Sequence, residues 1–110
     1  MAELDVAWIY LLAAGLFEVG FTTAIRYMDG FARLAPLALF IGCIACSFYF
    51  FERSARDIPL GTAYAVWAGI GAAGTAILGI LAYQEPVTAG RLFFIATLIG
   101  SIVGLRLVSH

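Results

Sequence analysis

The sequence predicts an all-α integral membrane protein in which each chain contributes four transmembrane helices. Three observations predict it. Apolar side chains make up 64% of the 110 residues and charged ones 12%, against about 25% charged in soluble domains, and the mean hydropathy is +1.02. A chain this short leaves a large share of its surface exposed and could not hide so much apolar material from water. The apolar residues collect into four runs near the ~20 residues that a helix needs to cross a bilayer. They lack the two-residue alternation of barrel strands. Net charge is −1, so there is no basic footprint and no nucleic-acid partner is expected. A soluble enzyme and a disordered tail are excluded by the same composition.

Residues 1–110 form a single domain with approximate spans 6–27, 34–51, 60–83 and 91–108. The first run, Val6 to Ile25, is interrupted by one charge, Glu18. Its flank is acidic (Glu3, Asp5) and no small-x-small cleavage site follows, so it reads as a span and not as a secretory leader. Leu34 to Phe51 and Leu60 to Tyr83 carry no charge. Leu92 to Leu105 is shorter, and Arg106 extends it by snorkelling so that Leu107 and Val108 join the span. The breaks between runs hold Asp29-Gly30, Asp57 to Pro59 and Glu85-Pro86, residues that favour turns. Asp29, Glu52, Asp57 and Glu85 all fall in these breaks, where water is expected to solvate them.

All six basic residues are arginine. Successive helices alternate direction, so Arg53, Arg56 and Arg106 share one side, and Arg26, Arg33 and Arg91 share the other. The count is even, which removes the bias that normally orients a membrane protein. Two readings stand: a fixed orientation set by subtler features, or insertion both ways and pairing with an inverted copy. Four helices cannot enclose a solute path, and transporters built from inverted repeats bind substrate between two repeats. A transport reading therefore requires a second chain.

Glu18 is the ionisable side chain in the middle of a span. An acid at the bilayer centre costs at least about 2.5 kcal/mol, so it is expected to face a cavity and to have a role. Its helical face includes Leu11, Ala14, Gly15, Phe21, Thr22 and Ile25 by i±3 and i±4 spacing and its continuation. A carboxyl in such a pocket holds a proton or a cation, but not both comfortably. In the third run, Tyr64 and Trp67 lie three apart on one face. Such rings stack on a cation, or they belong to the interfacial aromatic belt. Gly69, Gly71, Gly74 and Gly79 allow close helix approach or bending. Gly100 and Gly104 form a GxxxG packing pattern. Cys43 and Cys46 read as small buried hydrophobes, and Ser47 as a donor to a neighbouring helix. No nucleophile–base–orienter set is present, and His110 sits at the terminus, so no enzyme is expected. The reading assigns no metal and no cofactor.

An acid midway in the first of four short spans, followed by Arg26-Tyr27 and Gly30-Phe31, resembles the small multidrug resistance family. So does Gly61-Thr62-Ala63-Tyr64-Ala65-Val66-Trp67 with Gly69 and Gly71 behind it. The resemblance covers almost the whole chain. It implies a multi-pass exporter of the bacterial inner membrane, working as an antiparallel, dual-topology homodimer in the lipid bilayer. It implies exchange of protons for cationic small molecules by alternating access. By position, Glu18 would be the shared proton and substrate site. Ala14, Phe21, Thr22, Ser47, Tyr64 and Trp67 would line the pocket, Gly69 and Gly71 would give the third helix flexibility, and Gly100 and Gly104 would form the dimer contact. Gly61 to Tyr64, Gly69 to Ala72 and Glu85-Pro86 are similar to the guanidinium-exporting branch. That branch typically has a tryptophan where this chain has Phe21, and Thr22-Thr23 resemble the quaternary-ammonium branch.

Two other functions compete with a proton-coupled exporter. A non-transporting scaffold or regulatory subunit gains nothing from the cost of Glu18, and a passive cation pore would move substrate without counter-moving protons. The arginine balance supplies a direct test. Arg53→Ala combined with Arg56→Ala is expected to push most chains into one orientation, read by labelling single cysteines from each side of the membrane. An unchanged two-sided labelling pattern would rule out arginine balance as the cause.

Overall fold

The computed structural model describes residues 2–108, so His110 lies outside the described residues. Four α-helices follow one another: α1 (Ala2–Tyr27), α2 (Leu34–Ser54), α3 (Leu60–Tyr83) and α4 (Ala89–Val108). All four are long and apolar enough to cross a membrane. The helices run past the expected bounds at three points: α1 begins before Val6, α2 continues beyond Phe51, and α4 starts before Arg91. The additions to α1 and α2 carry polar residues, because helical hydrogen bonding continues where hydrophobicity stops.

Local chemistry sets each connection. Between α1 and α2, Asp29, Gly30 and Phe31 all have positive φ (50°, 64° and 80°). Glycine adopts this conformation without penalty and aspartate tolerates it, but an aromatic there is uncommon. The Phe31 ring lies edge-on to Phe40 at 6.4 Å, and the Arg33 amide closes the loop on the Met28 carbonyl at 3.0 Å. After α2, the Ser54 hydroxyl donates to the Phe51 carbonyl at 2.7 Å. Pro59 then opens α3, where it costs no amide that the helix would use. Gln84 ends α3 in the left-handed conformation, and the Gln84 and Glu85 amides both reach back to the Gly79 carbonyl, that of Glu85 at 3.1 Å. The Thr88 hydroxyl caps α4 by accepting from the Arg91 amide at 3.1 Å.

The central element is α1, which packs against both α2 and α3, whereas α4 lies along α3 alone. One core forms toward the end where α1 and α3 begin. Ala7, Leu11, Ile58, Ala63 and Val66 are buried there, with Trp8, Phe51, Trp67, Ile70 and Ile102 packed around them. Farther along, small residues on one helix receive branched ones from the other. Ile70 of α3 fills the space beside Gly15, and Val19 of α1 fills the space beside Gly74. Large apolar side chains such as Leu39, Leu81, Phe93 and Phe94 point outward, as suits a surface in lipid. None of the residues of α4 is buried.

Contacts between helix ends fix the two faces. Tyr27 donates its phenol hydrogen to the Tyr83 oxygen at 3.1 Å, joining the ends of α1 and α3. Arg106 pairs with Asp5 at 3.3 Å at the opposite end. There the Glu52 carboxylate, hydrogen-bonded to Arg56, pushes that guanidinium's pKa further up.

The glycine contacts yield a stability test. A Cβ at Gly15 would meet Ile70 Cγ2 at 2.5 Å, while one at Gly42 would meet nothing within 4 Å. Gly15→Val is expected to destabilise the α1–α3 packing by about 1–3 kcal/mol. Gly42→Ala is expected to be neutral or stabilising by up to about 1 kcal/mol. Denaturant titration in detergent, followed by helical circular dichroism, measures both.

Candidate functional site

The site begins with Glu18, near the middle of α1. Its carboxylate lies against Gly71 of α3, so closely that a Cβ at position 71 would overlap it. The Glu18 Oε1 atom is buried and has no hydrogen-bond partner. A charged oxygen left in this state is costly, because its hydration has been removed without replacement. Glu18 opens into a cleft of about 410 Å³ shared with Thr22, Gly71, Thr75, Glu85 and Arg91, between alanine walls from α3. The hydroxyls of Thr22 and Thr75 lie 2.7 Å apart across the α1–α3 contact. Thr22 also donates to the carbonyls of its own helix, at 3.0 Å from both Glu18 and Val19. The cleft therefore sets two hydroxyls and two carboxylates against alanine walls, with one carboxylate oxygen unsatisfied.

A second polar group forms deeper in the α1–α2–α3 packing. Ser47 is completely buried. Its hydroxyl donates to the Ala14 carbonyl at 2.7 Å and accepts from the Trp67 indole N–H at 2.9 Å. Phe51, Phe48 and Tyr64 surround the Trp67 ring, with centroids 4.8, 5.7 and 5.7 Å away. Ala14, Ser47, Tyr64 and Trp67 thus come together as one hydrogen-bonded and aromatic unit. It locks the three helices one turn before Glu18. None of these four lines the Glu18 cleft within the single chain, and Tyr64 is 57% exposed.

The remaining expected residues separate. Phe21 turns toward α2, edge-on to Phe40 at 6.1 Å. Gly69 is buried, and a Cβ there would come within 3.0 Å of Ile102 of α4, so it permits the α3–α4 contact. Gly71 makes room for Glu18. At Gly100 and Gly104 an added Cβ would meet nothing within 4 Å in the chain. Sequence reasoning missed Thr75, Glu85 and Arg91. Glu85 lies in the loop after α3 and stays partly exposed, as expected, but the turn at Gln84 also folds its carboxylate back over Gly79 and into the cleft. Glu52 belongs to α2 and not to a loop. The visible signal for Arg91 is its place in the first turn of α4, where the helix dipole disfavours a cation. Among the described residues no group of three or more metal-binding side chains gathers.

Comparison with known proteins adds to this geometry. The family described as Small Multidrug Resistance protein matches residues 6–98. The chain belongs to the small multidrug resistance family. Its relatives include a protein of Yersinia pseudotuberculosis, 41% identical over 104 residues that span 94% of this chain and 100% of the relative. Another, from Citrobacter freundii, is 42% identical over 105 residues, 96% of this chain and 100% of the relative. Both are named guanidinium exporter. These relatives are transporters, not enzymes, and with four candidate membrane spans this member of the family is a multi-pass inner-membrane protein.

The Ser47 unit gives a second stability test. Ser47→Ala leaves the Trp67 N–H and the extra lone pair of the Ala14 carbonyl without a partner. A loss of about 1–3 kcal/mol is expected, with a shift in indole fluorescence. Denaturant titration monitored at the tryptophan band checks both.

Proposed function

We propose that this protein is a small-cation exporter that exchanges protons for guanidinium or substituted guanidinium cations, with Glu18 as the shared site. The observation that carries the reading is the buried, unpartnered Glu18 Oε1 over Gly71. Either a proton or a bound cation relieves the cost of that oxygen, and one occupant excludes the other. Exclusive occupancy by two charges is the chemical basis of antiport.

The cleft's polar groups favour a guanidinium-type cation. A planar guanidinium places two N–H groups along one carboxylate and has further donors left over. The hydroxyl oxygens of Thr22 and Thr75, on the wall of the same cleft, are acceptors for those donors. Quaternary ammonium cations have no N–H, so they would rest on charge and aromatic faces alone. The aromatic pair marked in the sequence for such faces, Tyr64 and Trp67, stands outside the cleft. The names of the relatives support the same substrate class.

The working unit in this reading is an antiparallel, dual-topology homodimer. The even arginine count supports it, as do the unburied α4 and the open space beside Gly100 and Gly104. A second, inverted copy would close the Glu18 cleft and supply the opposite half of an alternating-access path. The glycines of α3 would provide the bending that such a cycle needs.

The test is proton release on adding guanidinium chloride to purified protein in lightly buffered detergent. Wild type is expected to release protons, and Glu18→Gln is expected to release none and to lose cation binding. Because proton and cation compete, apparent affinity falls as pH is lowered, by up to about tenfold per pH unit for one shared proton. Gly71→Ala, which would displace the carboxylate, is expected to weaken binding by at least about tenfold, a change of ~1.4 kcal/mol. Equal proton release from Glu18→Gln would move the chemistry to another residue.

A further inference from the structure

One face of α3 carries a polar track that continues beyond Glu18. Two glycines on it each lie under a carboxylate. Gly71 lies under Glu18 and Gly79 under Glu85, and in both cases an added Cβ would overlap the acid. Between them Thr75 meets the Thr22 hydroxyl at 2.7 Å. At ~1.5 Å of rise per residue, Gly71 and Gly79 are about 12 Å apart along the helix. A single cleft reaches from Glu18 to Glu85. A narrower pocket of about 150 Å³ continues past Glu85 toward Thr23 and Tyr83, at the end of α3. The Thr23 hydroxyl there is buried and has no partner.

At the mouth of the cleft, Arg91 donates to Glu85 Oε1 at 2.5 Å. Two features separate this pair from a structural brace. Its side chains are 32% and 42% exposed, and ion pairs this open contribute little to stability. Arg91 also occupies the first turn of α4, where the helix dipole opposes a positive charge. Its guanidinium is the same chemical group as the cation proposed for Glu18. The chain therefore displays a guanidinium seated on the outer carboxylate of its own cleft.

We propose that Glu85 is an outer station for the guanidinium cation on its way to or from Glu18, and that Arg91 holds this station closed between transits. An arriving cation replaces the Arg91 guanidinium on Glu85 with a like group, so the Glu85 carboxylate stays paired throughout the exchange. It then moves along the Thr75–Thr22 hydroxyls to Glu18. No covalent bond is made or broken. Arg91, when released, lies above the occupied station and disfavours entry of a second cation. This inference rests on the assignment of Glu18 as the inner site and extends it to the path.

Guanidinium-driven currents from full-length protein in proteoliposomes on a solid-supported membrane test the proposal. Glu85→Gln is expected to raise KM for guanidinium about fivefold, the order set by a half-exposed ion pair, with the maximal current within about twofold of wild type. Glu85→Asp is expected to fall between the two. Arg91→Gln removes the competing guanidinium and is expected to lower KM by a similar factor. A structural brace would be broken equally by either change, so KM shifts of the same sign in Glu85→Gln and Arg91→Gln would overturn the proposal. Unchanged KM in both would overturn it as well. Proton release at saturating guanidinium confirms that each variant is folded and retains its inner site. Loss of the inner-site reading would appear separately, as proton release that survives Glu18→Gln.

Discussion

An acid held without a partner in a low-dielectric environment is the constraint around which this molecule is arranged. A carboxylate at the centre of a span is costly, and the fold does not relieve that cost with a neighbouring base or a donor. It presses Glu18 onto the bare backbone of Gly71 and leaves Oε1 unsatisfied. The amino acids around it follow from that placement. Position 71 has room for no side chain, Thr22 and Thr75 present small hydroxyls, and alanines form the remaining wall. Larger residues would fill the cleft, and a lysine or arginine beside the acid would neutralise it permanently.

The rest of the chain keeps that acid in place with few strong interactions. The Ser47 hydroxyl joins three helices at once, through the Ala14 carbonyl and the Trp67 indole. In a bilayer such hydrogen bonds, together with close packing, do the work that the hydrophobic effect performs in water. Ile70 beside Gly15 and Val19 beside Gly74 bring α1 and α3 close enough for Glu18 to reach Gly71. The end of the bundle near Trp67 is densely packed, whereas the stretch of α3 from Gly69 to Gly79 consists mostly of small residues, and α4 packs along α3 with Arg106 reaching Asp5 and Trp8 of α1.

Charge placement at the two ends obeys different rules. Arg106 with Asp5, and Arg56 with Glu52, sit at the end where the core is dense. Both pairs are open to solvent and contribute little to stability. At the opposite end, Arg26 stacks 4.0 Å over the Tyr83 ring and Arg91 takes Glu85. Three guanidiniums gather there with Arg33, against three at the other end. That equality is a property of the linear sequence, and the fold distributes it without changing it.

The sequence by itself determined the four helices, their order across the bilayer and the importance of Glu18. Each depends on properties that act along the chain: hydrophobic run length, turn residues, and the cost of one charge among apolar neighbours. It also marked Ser47, Trp67 and Gly71 as residues of consequence, but not what they touch. Only the tertiary structure decided that Ser47 and Trp67 brace each other outside the Glu18 cleft, that Phe21 faces α2, and that Thr75 and Glu85 face the cleft. Those outcomes depend on the rotation of α1 against α3, set where Ile70 and Val19 meet glycines, and on a left-handed Gln84 that turns Glu85 back over Gly79. Helical periodicity tells which residues share a face. It does not tell which face meets which helix, because in lipid most faces are apolar and the choice rests on the fit of individual side chains.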